Sequence, residues 1–336
     1  MPNQNDPFKT SEIPVGVVGL GLMGCSITTC LLIAGHPVVA VAPIGVDLLH
    51  AESRIREHLH KSKENGLVSD DPEYYFDNLI ITEDYASLRT SQLVIECTIE
   101  DKDIKASVYQ KIEAVISAEA LLTSNTSAIP ISSLQKLTRH PERFLGLHWA
   151  EPSHTTRFLE IICGDQSSVE KGEYLYALSH LWRKEPILVR KDIPGFITNR
   201  LMYAMYREAM YLVENGYASI EDVDRSCRNN AGYFMTFVGI FRWMDLTGVK
   251  AYHTVMKNLF PTLFNGTEVP KLIDDVVKAG GNGVSNAKGF YAYTPEEAKL
   301  WEETFSKFTY QIRELALQYP ADLIDKKLQQ SQDENL

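Results

Sequence analysis

The feature that most constrains the fold of this chain is a glycine cluster between an apolar run and a helix-compatible segment. Val15 to Val18 form a β-like run, and Gly19-x-Gly21-x-x-Gly24 follows at once. The next residues suit a short helix, and a second apolar run covers 38–42. A strand, a tight turn, a helix and a strand within about 30 residues make a βαβ unit. The pattern therefore predicts an open, mostly parallel sheet with helices on both faces.

Later segments extend this sheet and then change character. Further apolar runs at 93–97, 120–123 and 144–147 read as strands, whereas apolar residues recur at helical spacing from about Gly195 onward. We therefore predict an α/β fold, a Rossmann-type doubly wound sheet followed by an all-helical C-terminal domain. The predicted boundaries are 10–193 for the dinucleotide-binding domain, 194–310 for the helical domain and 311–336 for a helical extension.

The three glycines have separate uses in a dinucleotide site. The first permits the tight turn, the second lets the backbone approach a pyrophosphate, and the third lets helix and strand pack closely. Free N–H groups at the start of the helix attract the anion, and Leu22 and Met23 lie within the same turn. We expect a nicotinamide dinucleotide as the cofactor.

The choice between NAD and NADP is not evident from the sequence. The usual acidic partner of the adenosine ribose should stand about 20 residues after the first glycine, where this chain has Ala42. No Arg or Lys follows within the next few positions to bind a 2′-phosphate. NAD is the first expectation, and NADP stays open.

Charge and composition exclude several classes of partner. Lys and Arg number 33 against 44 Asp and Glu, which gives a net charge of −11 and argues against nucleic acid. No apolar stretch has the length of a membrane helix, and residues 1–19 lack the pattern of a secretion signal. The five cysteines are scattered without metal-ligand spacing. We expect a cytoplasmic protein without a membrane partner, a disulfide framework or a bound metal.

Polar residues follow two of the later apolar runs. Ser124 to Ser127 end one run and His148 ends another, and residues beyond the carboxyl ends of strands line the ligand crevice of such folds. A histidine there can exchange a proton near neutral pH, and Glu160 is the candidate carboxylate to orient it. A structural histidine at the end of a strand is the alternative.

Taken together, these segments resemble the L-3-hydroxyacyl-CoA dehydrogenase family from about Val15 to Tyr293. The matching segments are GLGLMG (19–24), VIECTIEDKDIK (94–105), SNTSAIPI (124–131), RFLGLHWAEP (143–152), FLEII (158–162), IPGFITNRL (193–201), ENGYASIEDVD (214–224) and KGFYAY (288–293). In that family a His and a Glu twelve positions apart form the catalytic pair, as do His148 and Glu160 by position here.

The resemblance implies an activity and a set of site residues. The reaction would be hydride transfer between NAD and the 3-hydroxy group of an acyl-CoA thioester, carried out by a homodimer that joins through the helical domain, which also covers the substrate. The implied catalytic residues are His148, Glu160, Ser127 and Asn199. The implied cofactor-binding residues are Gly19, Gly21, Leu22, Met23, Gly24, Glu100, Lys105 and Asn125.

This chain also departs from the family pattern between the two catalytic residues. Glu151 stands where the family usually has Asn, and we expect its charge to lie beside His148. Arg157 could pair with a substrate carboxylate or simply face solvent. A basic run could hold CoA or be a solvated helix face; it consists of Arg54, Arg56, His58, His60, Lys61 and Lys63.

Three other functions stay open. A small free or cationic 3-hydroxy acid could replace the thioester as substrate. The β-hydroxyacid dehydrogenase group shares the glycine-rich opening, but its catalytic lysine would stand four residues before Asn199, where this chain has Gly195. A non-catalytic nucleotide-binding protein is the third possibility, although the presence of all four implied catalytic residues argues against it.

Overall fold

The structure is a computed structural model that describes residues 8–320 and 322–333. Residues 1–7, where we expect no secretion signal, and residues 334–336, the end of the predicted helical extension, lie outside that part of the chain. The described chain divides into two compact units, and the division falls between Arg200 and Leu201. The predicted domain boundaries at 193 and 310 remain predictions.

The first unit is built on one eight-stranded sheet with the strand order β3-β2-β1-β4-β5-β6-β7-β8. Neighbouring strands pair in parallel except at β6 and β7, which are antiparallel. The strands are β1 (Val15–Val18), β2 (Val38–Val41), β3 (Leu79–Thr82), β4 (Leu93–Glu96), β5 (Leu121–Ser124), β6 (Phe144–Trp149), β7 (Leu159–Cys163) and β8 (Ile187–Val189).

Helices cover both faces of this sheet, and each face has its own apolar core. Val17 packs into one core and Val18 into the other, because successive strand residues point to opposite faces. The helices are α1 (Leu22–Ile33), α2 (Gly45–Glu64), α3 (Pro72–Phe76), α4 (Lys102–Glu113), α5 (Ile131–Gln135) and α6 (Val169–Ser179). The predicted doubly wound sheet is confirmed.

The second unit is helical, as predicted. Helix α7 (Thr198–Glu214) begins just before the unit, and seven helices follow it: α8 (Ile220–Asn229), α9 (Ala231–Met235), α10 (Ile240–Thr247), α11 (Val249–Leu259), α12 (Lys271–Lys278), α13 (Pro295–Leu317) and α14 (Leu323–Asp333). No residue of α7 to α12 is buried, although these helices carry many large apolar side chains. Within the described residues no helix combines the length and apolar character needed to cross a membrane.

Candidate active site

The two residues of the expected catalytic pair lie opposite each other on β6 and β7. The antiparallel register pairs His148 directly with Glu160. Their side chains meet with 2.9 Å between His148 Nδ1 and Glu160 Oε2. Glu160 is fully buried and His148 is 7% exposed. This contact fixes Nδ1 and leaves Nε2 as the ring nitrogen for a substrate proton.

The second oxygen of Glu160 binds the start of α7. Oε1 accepts hydrogen bonds of 3.0 Å from the N–H groups of both Ile197 and Thr198. Burial by itself would raise the pKa of Glu160, but the hydrogen bonds from His148 and these N–H groups outweigh it and hold the pKa below its usual range. Glu160 therefore stays a carboxylate and can stabilise a protonated His148.

A strained turn precedes these two N–H groups. Gly195 and Phe196 both have positive φ angles, 77° and 53°. Such a conformation is uncommon for a phenylalanine and persists only where its surroundings fix it. The Phe196 side chain is fully buried, and its ring centroid lies 5.6 Å from that of His148. The turn thus places an apolar wall beside the histidine.

Ser127, Asn199 and Glu100 form a second cluster. Asn199 Nδ2 donates to the Ser127 carbonyl oxygen at 2.7 Å. Glu100 Oε1 accepts from the N–H of Ser127 at 3.1 Å and from the N–H of Ala128 at 3.2 Å. Burial opposes ionisation of Glu100, but the Thr126 hydroxyl, Lys105 and the two N–H groups hold its pKa below the usual range. The exposed hydroxyl of Ser127 remains available to a ligand.

Lys105 neutralises a buried carboxylate, a structural role that the sequence did not reveal. It is buried, and its Nζ lies 2.9 Å and 3.0 Å from the two carboxyl oxygens of Glu96, the last residue of β4. Glu100 is a more distant partner at 3.6 Å. Ser124 and Tyr109 also donate to Glu96, at 2.6 Å and 3.1 Å. Glu96 therefore joins β4, α4 and β5, and a charged residue at the end of an apolar strand was its signal in the sequence.

Asn125 connects two strand ends beside this cluster. Its Oδ1 accepts from the Trp149 N–H at 2.9 Å, and its own N–H donates to the Glu96 carbonyl at 2.8 Å. The residue therefore holds the end of β6, which carries His148, against the end of β5.

The glycine turn between β1 and α1 fits a dinucleotide. Gly19 has a φ of 101°, and a Cβ there would lie 2.8 Å from the Cys97 carbonyl. A Cβ at Gly24 would collide with the Gly19 carbonyl oxygen, whereas one at Gly21 would meet nothing within 4 Å. Gly21 thus borders open space, as close approach of a pyrophosphate requires. In the same turn Leu22 is 60% exposed and Met23 packs partly against the core.

Ala42 lies where the sequence placed it, directly after β2. Its side chain is buried, and its N–H donates to the Thr82 carbonyl oxygen at 2.9 Å. The end of β2 therefore carries no acid for a ribose hydroxyl.

Glu151 differs from its expected position beside His148. The groups that act on its carboxyl are Ser26 of α1, Ser153 and Lys184. Burial raises the pKa of Glu151 to about 7, against the opposite effect of these three groups. Its Oε2 is buried without a hydrogen-bond partner. The chain turns after β6 ends at Trp149, and this turn directs Glu151 toward α1.

Other charged residues that were expected to bind substrate or CoA contact side chains of the protein itself. Arg157 forms an ion pair of 2.8 Å with Glu185, so a substrate carboxylate would have to compete with Glu185 for it. Three of the six residues of the basic run on α2 form ion pairs, and a fourth is stacked on another ring, which favours a helix surface over a CoA clamp. These contacts are Arg56 with Glu52 and Glu73, Lys61 with Glu57, Lys63 with Asp71, and the His58 ring stacked on that of His154.

Comparisons with known proteins agree with this geometry. The model of the 3-hydroxyacyl-CoA dehydrogenase NAD-binding domain matches residues 14–193, and that of the C-terminal domain matches 195–293. A 5-formyl-3-hydroxy-2-methylpyridine 4-carboxylate 5-dehydrogenase from Mesorhizobium japonicum is 31% identical over 85% of this chain and 92% of its own length.

Solved structures of dehydrogenases are also similar to this chain. A crystal structure of 5-formyl-3-hydroxy-2-methylpyridine 4-carboxylic acid 5-dehydrogenase, described as an NAD⁺-dependent dismutase, has a TM-score of 0.84 and 29% identity over 90% of this chain and 98% of its own. An (S)-3-hydroxybutyryl-CoA dehydrogenase from Ralstonia eutropha has a TM-score of 0.69 and 28% identity, over 84% of this chain and 99% of its own. The protein belongs to the 3-hydroxyacyl-CoA dehydrogenase family and is an NAD-dependent dehydrogenase that acts on CH–OH groups.

Proposed function

We propose that this dehydrogenase acts on a small, free hydroxy acid, with His148 as general base and Glu160 as the residue that positions it. The observation that carries the proposal is the 2.9 Å contact between His148 Nδ1 and Glu160 Oε2. A histidine held in one tautomer by a buried carboxylate is suited to remove a hydroxyl proton.

In the oxidative direction His148 Nε2 accepts the proton of the substrate hydroxyl while the carbon that bears this hydroxyl loses a hydride and becomes a carbonyl. Glu160 stabilises the imidazolium that results, because both its oxygens are already held in place. Ser127 and Asn199 orient the substrate oxygen. NAD supplies the hydride acceptor when bound, in a site that Gly19, Gly21 and Gly24 form with Glu100 and Asn125.

The choice of a free acid rests on the comparisons. The pyridine carboxylate dehydrogenase gives the higher TM-score, 0.84 against 0.69, and over more of this chain. The relative acts on a free ring acid, and a free acid needs no site for CoA. The ion pairs of Arg56, Lys61 and Lys63 on α2 support the same choice.

A 3-hydroxyacyl-CoA thioester is the second candidate. Its support is the match of both family models and the similarity to a 3-hydroxybutyryl-CoA dehydrogenase over nearly all of that chain.

A nicotinamide-absorbance assay separates the two candidates. The wild-type protein is tested with NAD and three compounds: 3-hydroxybutyryl-CoA, free 3-hydroxybutyrate and 5-formyl-3-hydroxy-2-methylpyridine 4-carboxylate. Products of the third compound, an aldehyde, are also separated by chromatography, because a dismutation would oxidise one molecule and reduce another without net formation of NADH. Turnover of a free acid with a higher kcat/KM than the thioester supports the proposal, and the reverse order replaces it with the second candidate. No turnover of any compound despite NADH binding would contradict both candidate substrates.

We also propose that the protein is a homodimer formed by the second unit. Helices α7 to α12 lack buried residues, and Phe241 and Tyr233 are 81% and 73% exposed. Large apolar surfaces of this kind mark protein contacts. Since the family resemblance implies a dimer through these helices, a second copy of the chain is the partner proposed.

A further inference from the structure

The end of β2 lacks the acid that usually binds the adenosine ribose, but the neighbouring strand β3 is followed directly by an acid, Glu83. Strands β2 and β3 pair in parallel with Val41 opposite Thr82, and the Ala42 N–H donates to the Thr82 carbonyl oxygen. Continuing this register by one residue pairs Ala42 with Glu83. The carboxylate that is missing after β2 thus has a counterpart in Glu83, at the corresponding position after β3.

The Glu83 side chain reaches back toward the turn after β2. A Cβ added to Gly45, the first residue of α2, would lie 3.2 Å from Glu83 Oε1. The carboxylate therefore lies against the turn where a Rossmann-type sheet receives the adenosine half of its cofactor. Glu83 is exposed, so its oxygens are accessible to a ligand.

The charges around this turn favour a hydroxyl over a phosphate. Among the described residues, no Lys, Arg or His lies within salt-bridge distance of the Glu83 carboxylate. Residues 42–49 include no Lys or Arg, and Asp47 adds a second acid in the first turn of α2. A 2′-phosphate commonly needs an Arg at this place, whereas a 2′-hydroxyl needs an acceptor.

We propose that Glu83 replaces the missing acid of β2, accepts a hydrogen bond from the 2′-hydroxyl of the adenosine ribose, and excludes NADP by charge repulsion. The specificity residue has moved from the end of β2 to the end of β3. The inference concerns the cofactor alone and does not depend on which substrate the enzyme oxidises.

The test measures binding, without turnover, on the purified full-length protein. Dissociation constants are determined by fluorescence for NADH and NADPH, and by calorimetry for 5′-AMP and adenosine 2′,5′-bisphosphate, which differ only in the 2′-phosphate. The variants are Glu83→Gln, the matched control Glu64→Gln, which removes an equal charge from an exposed site at the far end of α2, and Ala42→Asp combined with Glu83→Gln.

The proposal predicts that Glu83→Gln lowers the preference for NADH over NADPH by about ten- to hundredfold, the range for a charged hydrogen bond. The two adenosine phosphates should shift in the same sense, Glu64→Gln should behave as wild type, and Ala42→Asp should restore the preference in the double variant.

Two results would overturn it. One is a preference that Glu83→Gln changes by less than about twofold, well below the effect of one charged hydrogen bond. The other is an equal loss of affinity for both members of each pair, which would mean that Glu83 does not read the 2′ position. Because these measurements use no substrate, they are independent of the assay that tests the proposed function.

Discussion

His148 and Glu160 are cross-strand neighbours, so the twelve positions between them are set by one antiparallel connection from β6 to β7. The side-chain period of a strand is two residues, so a shift of one residue in this register would turn Glu160 to the opposite face of the sheet. The spacing is therefore a geometric requirement for the 2.9 Å contact, and any change of length between the strands must preserve the register.

Removal of the histidine should abolish most of the chemistry while leaving the cofactor site intact. We expect His148→Ala to lower kcat by about two to four orders of magnitude, the range for a positioned general base. Glu160→Gln should cost less, because an amide can orient the ring but cannot stabilise its charge. The measurements are kcat under conditions where chemistry limits the rate and a fluorescence titration with NADH. His140→Ala, at a partly exposed histidine outside the candidate site, is the control. Retention of a third of wild-type turnover by His148→Ala would refute the assigned base.

The buried pair of Lys105 and Glu96 should affect stability more than cofactor affinity. Lys105→Met leaves the Glu96 carboxylate buried without its cation, which costs about 3–5 kcal/mol in the free energy of unfolding. Combining it with Glu96→Gln should recover about 1–3 kcal/mol, since the two residues are in contact. Urea denaturation measures both, with Lys111→Met on the exposed side of α4 as control. A normal stability with weakened NADH binding would instead make Lys105 a cofactor ligand.

Glu151 should make stability fall as the pH rises toward neutrality. The pKa of this carboxyl is raised by burial to about 7 in the folded protein, so the folded state holds a proton that the unfolded state has released. Its stabilisation is complete below the ordinary carboxyl pKa and is lost as the pH rises through about 7. Glu151→Gln should flatten the dependence of Tm on pH between these limits, whereas Glu185→Gln should not. An unchanged slope in Glu151→Gln would mean that this carboxyl ionises normally.

A charge on the exposed face of α10 should disrupt the proposed dimer. Phe241 is 81% exposed, so Phe241→Glu costs the isolated chain little but would bury a carboxylate in an interface between two copies. Sedimentation analysis should show a dimer for the wild type and a monomer for the variant. Glu303→Gln on α13 serves as a surface control. A wild-type protein that sediments as a monomer would contradict the proposal directly.

Much of the first unit could be predicted because its central strands are uninterrupted apolar runs. The strands β1, β2, β4, β5 and β6 are buried on both faces, and such strands have a strong sequence signal. Strand β7 is buried but was not predicted, because Glu160 interrupts its apolar run. Strand β3 and the short β8, which are only partly buried, were likewise missed. Edge strands of a few residues have little to distinguish them from loops.

The site was predictable only where residue types and spacing carry the chemistry. His148, Glu160 and the glycine turn satisfy that condition. Glu83 does not, because an exposed acid after a weak strand looks like any surface residue until the register of β2 and β3 is known. The position of Glu151 depends on the path of a loop, which no periodicity describes.

The carboxylate of Glu160 holds the catalytic histidine with one oxygen and the first N–H groups of α7 with the other. A chain in which residues 195–198 have not yet folded therefore also lacks a correctly oriented base. Orientation of the base and folding of this segment are thus coupled through one buried carboxylate.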